Sequence, residues 1–494
     1  RFREELALPG GTARAVEHTV ATTGRAVAFS GLTVAASLCG LLLFPQMHLR
    51  SLAYGGIAVV SGAVLLALTL LPALLALFGT RVDALRLPFS LSRPPQDEEK
   101  GFWHQVAFGV MKRPVLVAVA VTVPLLALAT PFLRVNPSIA DHRILPADSQ
   151  PRIATDVLDA DFLPHQATAH EVIVRVPGDA LSRDNLERLY AIHERIRALP
   201  GISEVQSVFA PAATVGKERV LELLAKPRAE QDPNVLAGLE LFTRGGVMRF
   251  AAVSTHVFND ERALDQVVAL RALSPPEGGR IEVGGIAAVL WDMQACFRRI
   301  TPWMIGFVAL IMFVVLFAVF GSVTLPIKAM LMNSLSLTAS FGAIVWVFQD
   351  GRFAELLDYT PLGLSDATQP LLMFAVVFGL SMDYEVLLLT RVREEYLRTG
   401  DNSLAVARGL ARTGRLITSA ALLLVVVIGA FATSKILFMK TIGVGMALAI
   451  ALDATVIRAL LVPATMRLMG SWNWWAPAPL MRLWRRAGLS DLEE

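Results

Sequence analysis

The chain is poor in the residues that mark most enzymes and most secreted scaffolds. Two cysteines, Cys39 and Cys296, stand in 494 residues, and both lie in or beside apolar stretches. A disulfide framework is therefore not indicated. Charged residues make up 18%, where about 25% is usual for a soluble domain. The net charge of +3 is too small to point to nucleic acid, and none is expected as a partner. No Gly-rich phosphate loop of the P-loop type is present, which argues against ATP as the energy source. His165 and His170 sit near one another, but no cysteine or acidic cluster completes a zinc spacing, so no metal or other cofactor is expected. Residues 1–25 lack the pattern of a signal peptide.

What is abundant is apolar sequence, 54% of the chain, and it is clustered. Runs at roughly 26–44, 52–79, 114–133, 300–320, 324–348, 370–390, 416–433 and 441–469 each approach the ~20 residues that cross a bilayer. The chain reads as a polytopic α-helical membrane protein with one large polar insert. The expected order is a cytoplasmic amphipathic segment (1–25), two spans (26–79), a cytoplasmic loop (80–113), a span (114–133), an extracytoplasmic domain (134–299), five spans (300–470) and a cytoplasmic tail (471–494). Positive residues set the sides. Arg81, Arg86, Arg93, Lys100, Lys112 and Arg113 follow the second span. Arg391, Arg393, Arg398, Arg408, Arg412 and Arg415 follow the sixth, and Arg467, Arg482, Arg485 and Arg486 the eighth. All fall on one side, the cytoplasm, if the spans alternate. "WNWWAPAPLMRLWRR" (472–486) reads as an aromatic, basic interfacial segment.

The insert alternates strand-like and helix-like runs. "EVIVRV" (171–176), "SEVQSVF" (203–209), "RFAAVSTHVF" (249–258) and "IEVGG" (281–285) read as strands. Helical patterns over 181–199 and 260–273 separate them. Two β-α-β units of this length suggest a split βαβ, ferredoxin-like domain. Residues 211–247 are expected to be helical with loops.

An internal repeat is legible. "RFREELALPGGTARAVEHTVATTGR" (1–25) aligns with "RVREEYLRTGDNSLAVARGLARTGR" (391–415) at an offset of 390. Both copies run into a helix pair, so the repeat is parallel, related by an axis along the membrane normal. Asp383 and Tyr384 precede Arg391, and their counterparts would lie just upstream of Arg1.

"FGLSMDYEVLLL" (378–389) places Asp383, Tyr384 and Glu385 inside a span. A carboxylate there costs ~2.5–3.5 kcal/mol or more and defaults to a functional role. A carboxyl that takes up and releases a proton suits proton carriage, and the Tyr384 hydroxyl can donate to it or accept from it. Asp383 and Tyr384 are the expected proton relay. Glu385 projects about 200° away from Asp383 and is expected to reach the cytoplasmic rim, with a secondary role. Gly379, one turn before Asp383, would let another helix approach closely. Asp453 is the other secondary candidate. Arg458 lies five residues on, and an ion pair between the two is one arrangement open to them. An intramembrane aspartyl protease would use two such acids, but "GLSMD" lacks the Gly-x-Gly-Asp pattern, and no enzymatic activity is expected.

"GLSMDYEV" with "RVREEY", "LDATVIRALLVPATMRLMG" in the last span, and "RFREEL … TGRAVAFSGLTVAASLCGLLLFP" in the first copy resemble the MMPL family of the resistance–nodulation–division (RND) superfamily. "IEVGGIAAVLWD" resembles the end of an RND exterior domain. The resemblance implies RND-type architecture with a duplicated helix bundle and a porter domain. It implies the part of the chain from about the fifth helix onwards, so that a first Asp-Tyr pair and a first porter domain lie upstream and this part alone is not expected to be active. It further implies export of lipids or other hydrophobic compounds across the bacterial inner membrane, driven by protons carried by Asp383 and Tyr384. Accessory cell-envelope proteins are candidate partners. Drug efflux, or a non-exporting sterol-sensing or protein-translocation role, is the alternative.

Overall fold

A computed structural model describes residues 2–83, 101–162, 168–227 and 230–486. Arg86, Arg93, Lys100 and His165, singled out above, lie outside the described residues, as do residues 487–494 of the tail. The chain divides into two compact units, one of Arg1–Pro137 with Arg299–Glu494 and one of Ser138–Arg298.

Among the described residues, eight helical runs are long and apolar enough to cross a membrane. They are α1 (Gly11–Leu43), α2 (Met47–Val82), α3 (Pro114–Arg134), α4 (Ile286–Phe320), α5 (Thr324–Gln349), α6 (Gln369–Thr399), α7 (Asn402–Thr433) and α8 (Leu437–Trp474). They differ in what surrounds them. The most apolar stretch of α5 is 67% buried inside the protein and that of α2 is 0% buried. A helix that is apolar all round yet uncovered by protein is one that lipid covers. α5 is central, and its buried polar residues Lys328, Asn333, Ser336 and Ser340 must find partners within the bundle.

The spans run further than the apolar pattern indicates. The segment expected as a loop after the sixth span is helical almost throughout. α6 continues to Thr399 and α7 starts at Asn402. Two residues make the turn. Gly400 takes the left-handed conformation (φ 68°) that glycine adopts without penalty. The Asp401 carboxylate then caps α7 by accepting from the backbone N–H groups of Ser403 and Leu404. The arginines of this segment therefore lie on helix faces. Arg412 and Arg398 reach the buried Glu395 carboxylate at 2.6 and 2.7 Å.

The repeat persists in three dimensions. Glu395 also pairs with Arg408 at 3.7 Å. At the positions 390 residues earlier, Glu5 pairs with His18 at 3.1 Å. In each copy the second of the two adjacent glutamates contacts a residue thirteen positions on.

In the Ser138–Arg298 unit, four strands form the path of a five-stranded antiparallel sheet, and the fifth strand, the two-residue Thr243–Arg244, pairs beside Val247 and Met248. The four are β1 (His170–Arg175), β2 (Ile202–Gln206), β3 (Val247–Ser254) and β4 (Arg280–Gly284), in the order β2-β3-β1-β4. The register sets Val172 opposite Phe250 on one side and Val283 on the other, and Val205 opposite Ala252. Alternation along β1 buries His170, Val172 and Val174, as the period of two requires. Helices Arg183–Arg197 and Glu261–Arg271 connect the strands. Leu186, Leu189, Ile192 and Ile196 of the first helix join Phe209 and Phe250 in the unit's core. Residues 212–242 add three short helices, Ala212–Val215, Lys217–Leu224 and Pro233–Phe242. His170 Nε2 is 2.9 Å from Gln266 Oε1, so its place is a packed strand position.

Candidate functional site in the helix bundle

The centre of the site is one turn of α6, Ser381–Glu385, buried against three other spans. Successive residues of a helix are about 100° apart, so this turn sends its polar groups in different directions.

Asp383 turns towards α1. Its carboxyl is half-buried beside the Ser30 hydroxyl of α1. The helices come close there because Gly379 has no side chain. A Cβ at Gly379 would stand 3.0 Å from Val34 Cα and 3.1 Å from Ser37 Cβ, both on α1. Small residues at such crossings let backbones approach.

Tyr384 faces α8. The Arg458 guanidinium carbon sits 5.0 Å from the centre of the Tyr384 ring, a cation–π distance. Arg458 is 1% exposed. Its Nη2 donates to Asp453 Oδ2 at 2.7 Å and to the Ser381 carbonyl oxygen. The five-residue spacing forms a pair because Leu452–Leu461 is π-helical. In an ordinary α-helix, positions i and i+5 lie some 140° apart; the wider π turn brings them onto one face.

Glu385 departs from expectation. It is 0% exposed, so it does not reach the cytoplasmic rim. α6 continues for fourteen residues beyond it, to Thr399, and Glu385 is enclosed inside the bundle. Neither carboxylate oxygen has a hydrogen-bond partner. The charges that face it are Lys328 of α5 with Arg458 and Asp453 of α8. Lys328 is 6% exposed, and its Nζ has no hydrogen-bond partner either. The Ser381 hydroxyl donates to Asn333 Oδ1 of α5 at 2.7 Å, closing the polar layer.

The structure thus gathers Tyr384, Glu385 and Asp453 around two cations, Lys328 and Arg458, while Asp383 points to the opposite side of α6. Lys328, Ser30 and Asn333 are additions that the sequence reasoning missed. Lys328 carried a signal, because a lone lysine inside an apolar span is itself a candidate for function. Ser30 and Asn333 carried none beyond their polarity. Among the described residues, no three His, Cys, Asp or Glu side chains converge as a metal site would need.

A bundle of eight apolar helices with ionisable groups layered across its interior is a multi-pass membrane protein whose polar site lies within its spans. The chain belongs to the MMPL family, whose model matches residues 1–117 and 143–491. It is 40% identical over 491 residues to the Streptomyces coelicolor membrane protein SCO6666, covering 99% of this chain and 62% of that protein. It is 34% identical over 519 residues to the trehalose monomycolate exporter MmpL3 of Mycobacterium tuberculosis, covering 100% of this chain and 52% of that one. With the heme uptake protein MmpL11 of Mycobacterium tuberculosis the identity is 35% over 482 residues, covering 97% of this chain and 46% of that one. The chain spans about half the length of these two mycobacterial relatives.

Proposed function

We propose that this chain is part of a proton-driven exporter of lipids or other hydrophobic compounds in the bacterial cytoplasmic membrane. Asp383 and Tyr384 carry the coupling proton. The observation that bears this reading is the placement of Asp383 at the crossing of α6 with α1. α1 belongs to the first copy of the repeat and α6 leads into the second. A proton gained or lost at Asp383 changes the charge at the junction of the two copies, beside the Ser30 hydroxyl. A charge change at such a junction can favour one of two arrangements, provided the two differ in proton affinity.

The Ser138–Arg298 unit is the porter domain of ferredoxin-like type, on the extracytoplasmic side. The strand order β2-β3-β1-β4, with a helix between β1 and β2 and another between β3 and β4, supports that type. The side follows from the positive residues of the short connections. The names of two relatives support a hydrophobic cargo, one as an exporter of trehalose monomycolate and one in heme uptake. The second name favours a further reading, in which the cargo moves inward.

The test is transport by the whole protein with Asp383→Asn, which keeps the shape of the side chain and removes its titration. Transport is expected to fall about a hundredfold or more, in the range of lost proton transfer. Undiminished transport would overturn the proton role, and the direction of cargo movement across inverted vesicles decides between export and uptake.

A further inference from the structure

Glu385 and Lys328 have no part in the Asp383–Tyr384 reading. Both are charged residue types, both are sealed from solvent at 0% and 6% exposure, and neither makes a hydrogen bond through its charged atoms. A buried ion pair is tolerable when good geometry and further hydrogen bonds satisfy its remaining lone pairs and protons. Asp453–Arg458 approaches that condition, with a 2.7 Å contact and the Ser381 carbonyl as a second acceptor. Glu385 does not. Its charge is offset only across space, by Lys328 of α5 and Arg458 of α8, and Arg458 is already committed to Asp453. Asp453 adds an opposing negative charge.

On its own helix the nearest acid is Asp383, two residues back and about 200° round, facing α1. The two carboxyls of α6 thus differ in their nearest polar neighbours, Ser30 for Asp383 and Lys328 for Glu385, while the Arg458 charge acts on both. A carboxylate that is buried, without hydrogen bonds and beside a second carboxylate has one simple way to lower its cost, which is to bind a proton. Beside a lysine, that event also removes the negative charge that faces Lys328 across space.

We propose that Glu385 is a second proton-binding carboxyl of the bundle, with Lys328 as its counter-charge, facing α5 and α8 where Asp383 faces α1. The step is a single protonation. The carboxylate takes one proton from the aqueous phase and becomes a neutral acid, while the Lys328 ammonium keeps its protons. The proposal deepens the proton-coupled reading and rests on it for any consequence in transport; the binding event itself stands apart.

The experiment is infrared difference spectroscopy of the full chain in lipid vesicles as the pH is changed. Protonated carboxyls are read from their C=O stretch. Glu385→Gln is expected to remove one component of that band, and Asp383→Asn a different one. Lys328→Met is expected to move the Glu385 component by about a tenfold change in proton concentration or more, the size that a neighbouring unit charge produces. A Glu385→Gln band identical to the parent overturns the proposal, whatever Asp383→Asn does, so the two failures are distinguishable. Should Glu385→Gln not fold, Glu385→Asp keeps the acid on a shorter arm. Its component must then shift, and an unmoved band overturns the proposal equally.

Discussion

The two units treat charge in opposite ways. In the Ser138–Arg298 unit, acids meet arginines in two-pronged contacts near the surface. Arg249 donates to both oxygens of Glu171 at 2.7 and 2.8 Å, and Arg271 to both of Asp292 at 2.7 and 2.9 Å. These groups are about a third to somewhat over half exposed, and water completes what the partner leaves. In the polar layer around Glu385 in the helix bundle, charges are buried and incompletely matched. Asp453 Oδ1, Arg458 Nε and Nη1, Lys328 Nζ and both Glu385 oxygens lack hydrogen-bond partners. An arrangement of the first kind needs no explanation beyond a soluble surface. The second kind is poor for stability. Departures from local satisfaction of this sort concentrate where a protein acts.

The largest effect should come from breaking the fully buried Asp453–Arg458 pair. Arg458→Met leaves the Asp453 carboxylate buried without its partner and removes the cation over the Tyr384 ring. Stranding a buried charge costs about 3–5 kcal/mol. It should appear as a marked fall in the denaturant midpoint of the full chain in detergent. Arg249→Met, which breaks a half-exposed pair in the other unit, should cost at most ~1 kcal/mol. Equal losses from the two would erase the contrast between the units.

A smaller effect concerns the closeness of α1 and α6. At Gly379 the nearest atom to an added Cβ is the backbone Cα of Val34, at 3.0 Å, and backbone cannot turn aside as a side chain can. Gly379→Ala should cost about 1–3 kcal/mol through overpacking. It should also disturb the Asp383–Ser30 approach one turn away. At Gly429, near the end of α7, an added Cβ meets nothing within 4 Å. Gly429→Ala should be neutral or stabilise by up to ~1 kcal/mol, from helix propensity alone. Comparison of the two unfolding midpoints separates close packing from a general intolerance of the spans to change.

Much of this was legible in the sequence, for reasons that particular residues make plain. The eight spans follow from runs of apolar residues, because a bilayer imposes length. The strands follow from alternation such as that of "EVIVRV". Residues 211–247 were not legible in detail, since short helices such as Ala212–Val215 carry too few turns for a period to register. In the site, spacing indicated correctly that Asp383 and Glu385 face apart. It could not indicate which neighbours each meets, so Glu385 was expected at the rim and lies instead among α5 and α8. The π-helical turn at Leu452–Leu461 was invisible, because hydropathy is the same whether a helix winds tightly or widely. Yet that turn decides whether Asp453 and Arg458 meet.

The smallest predicted effect tests whether burial also matters in the better-matched unit. His170 and His193 are both buried there. Burial holds each imidazole below its ordinary value; at His170 the hydrogen bond with Gln266 works partly against this. The unfolded chain, with histidines near 6.5, therefore binds more protons than the folded unit over the interval between the two values. Stability must rise with pH across that interval. The contribution is fully present above about pH 6.5 and is lost as pH falls from there towards the folded values. Hydrogen exchange in β1–β4 of the whole protein, corrected for intrinsic rates, should show protection weakening on acidification over that range. His193→Gln can keep a hydrogen bond to Ser207, which the parent makes at 3.1 Å through Nδ1, and has no proton to gain. It should make the loss of protection shallower without abolishing it, because His170 remains. An unchanged slope would mean that the desolvated imidazole is not what makes this unit sensitive to acid.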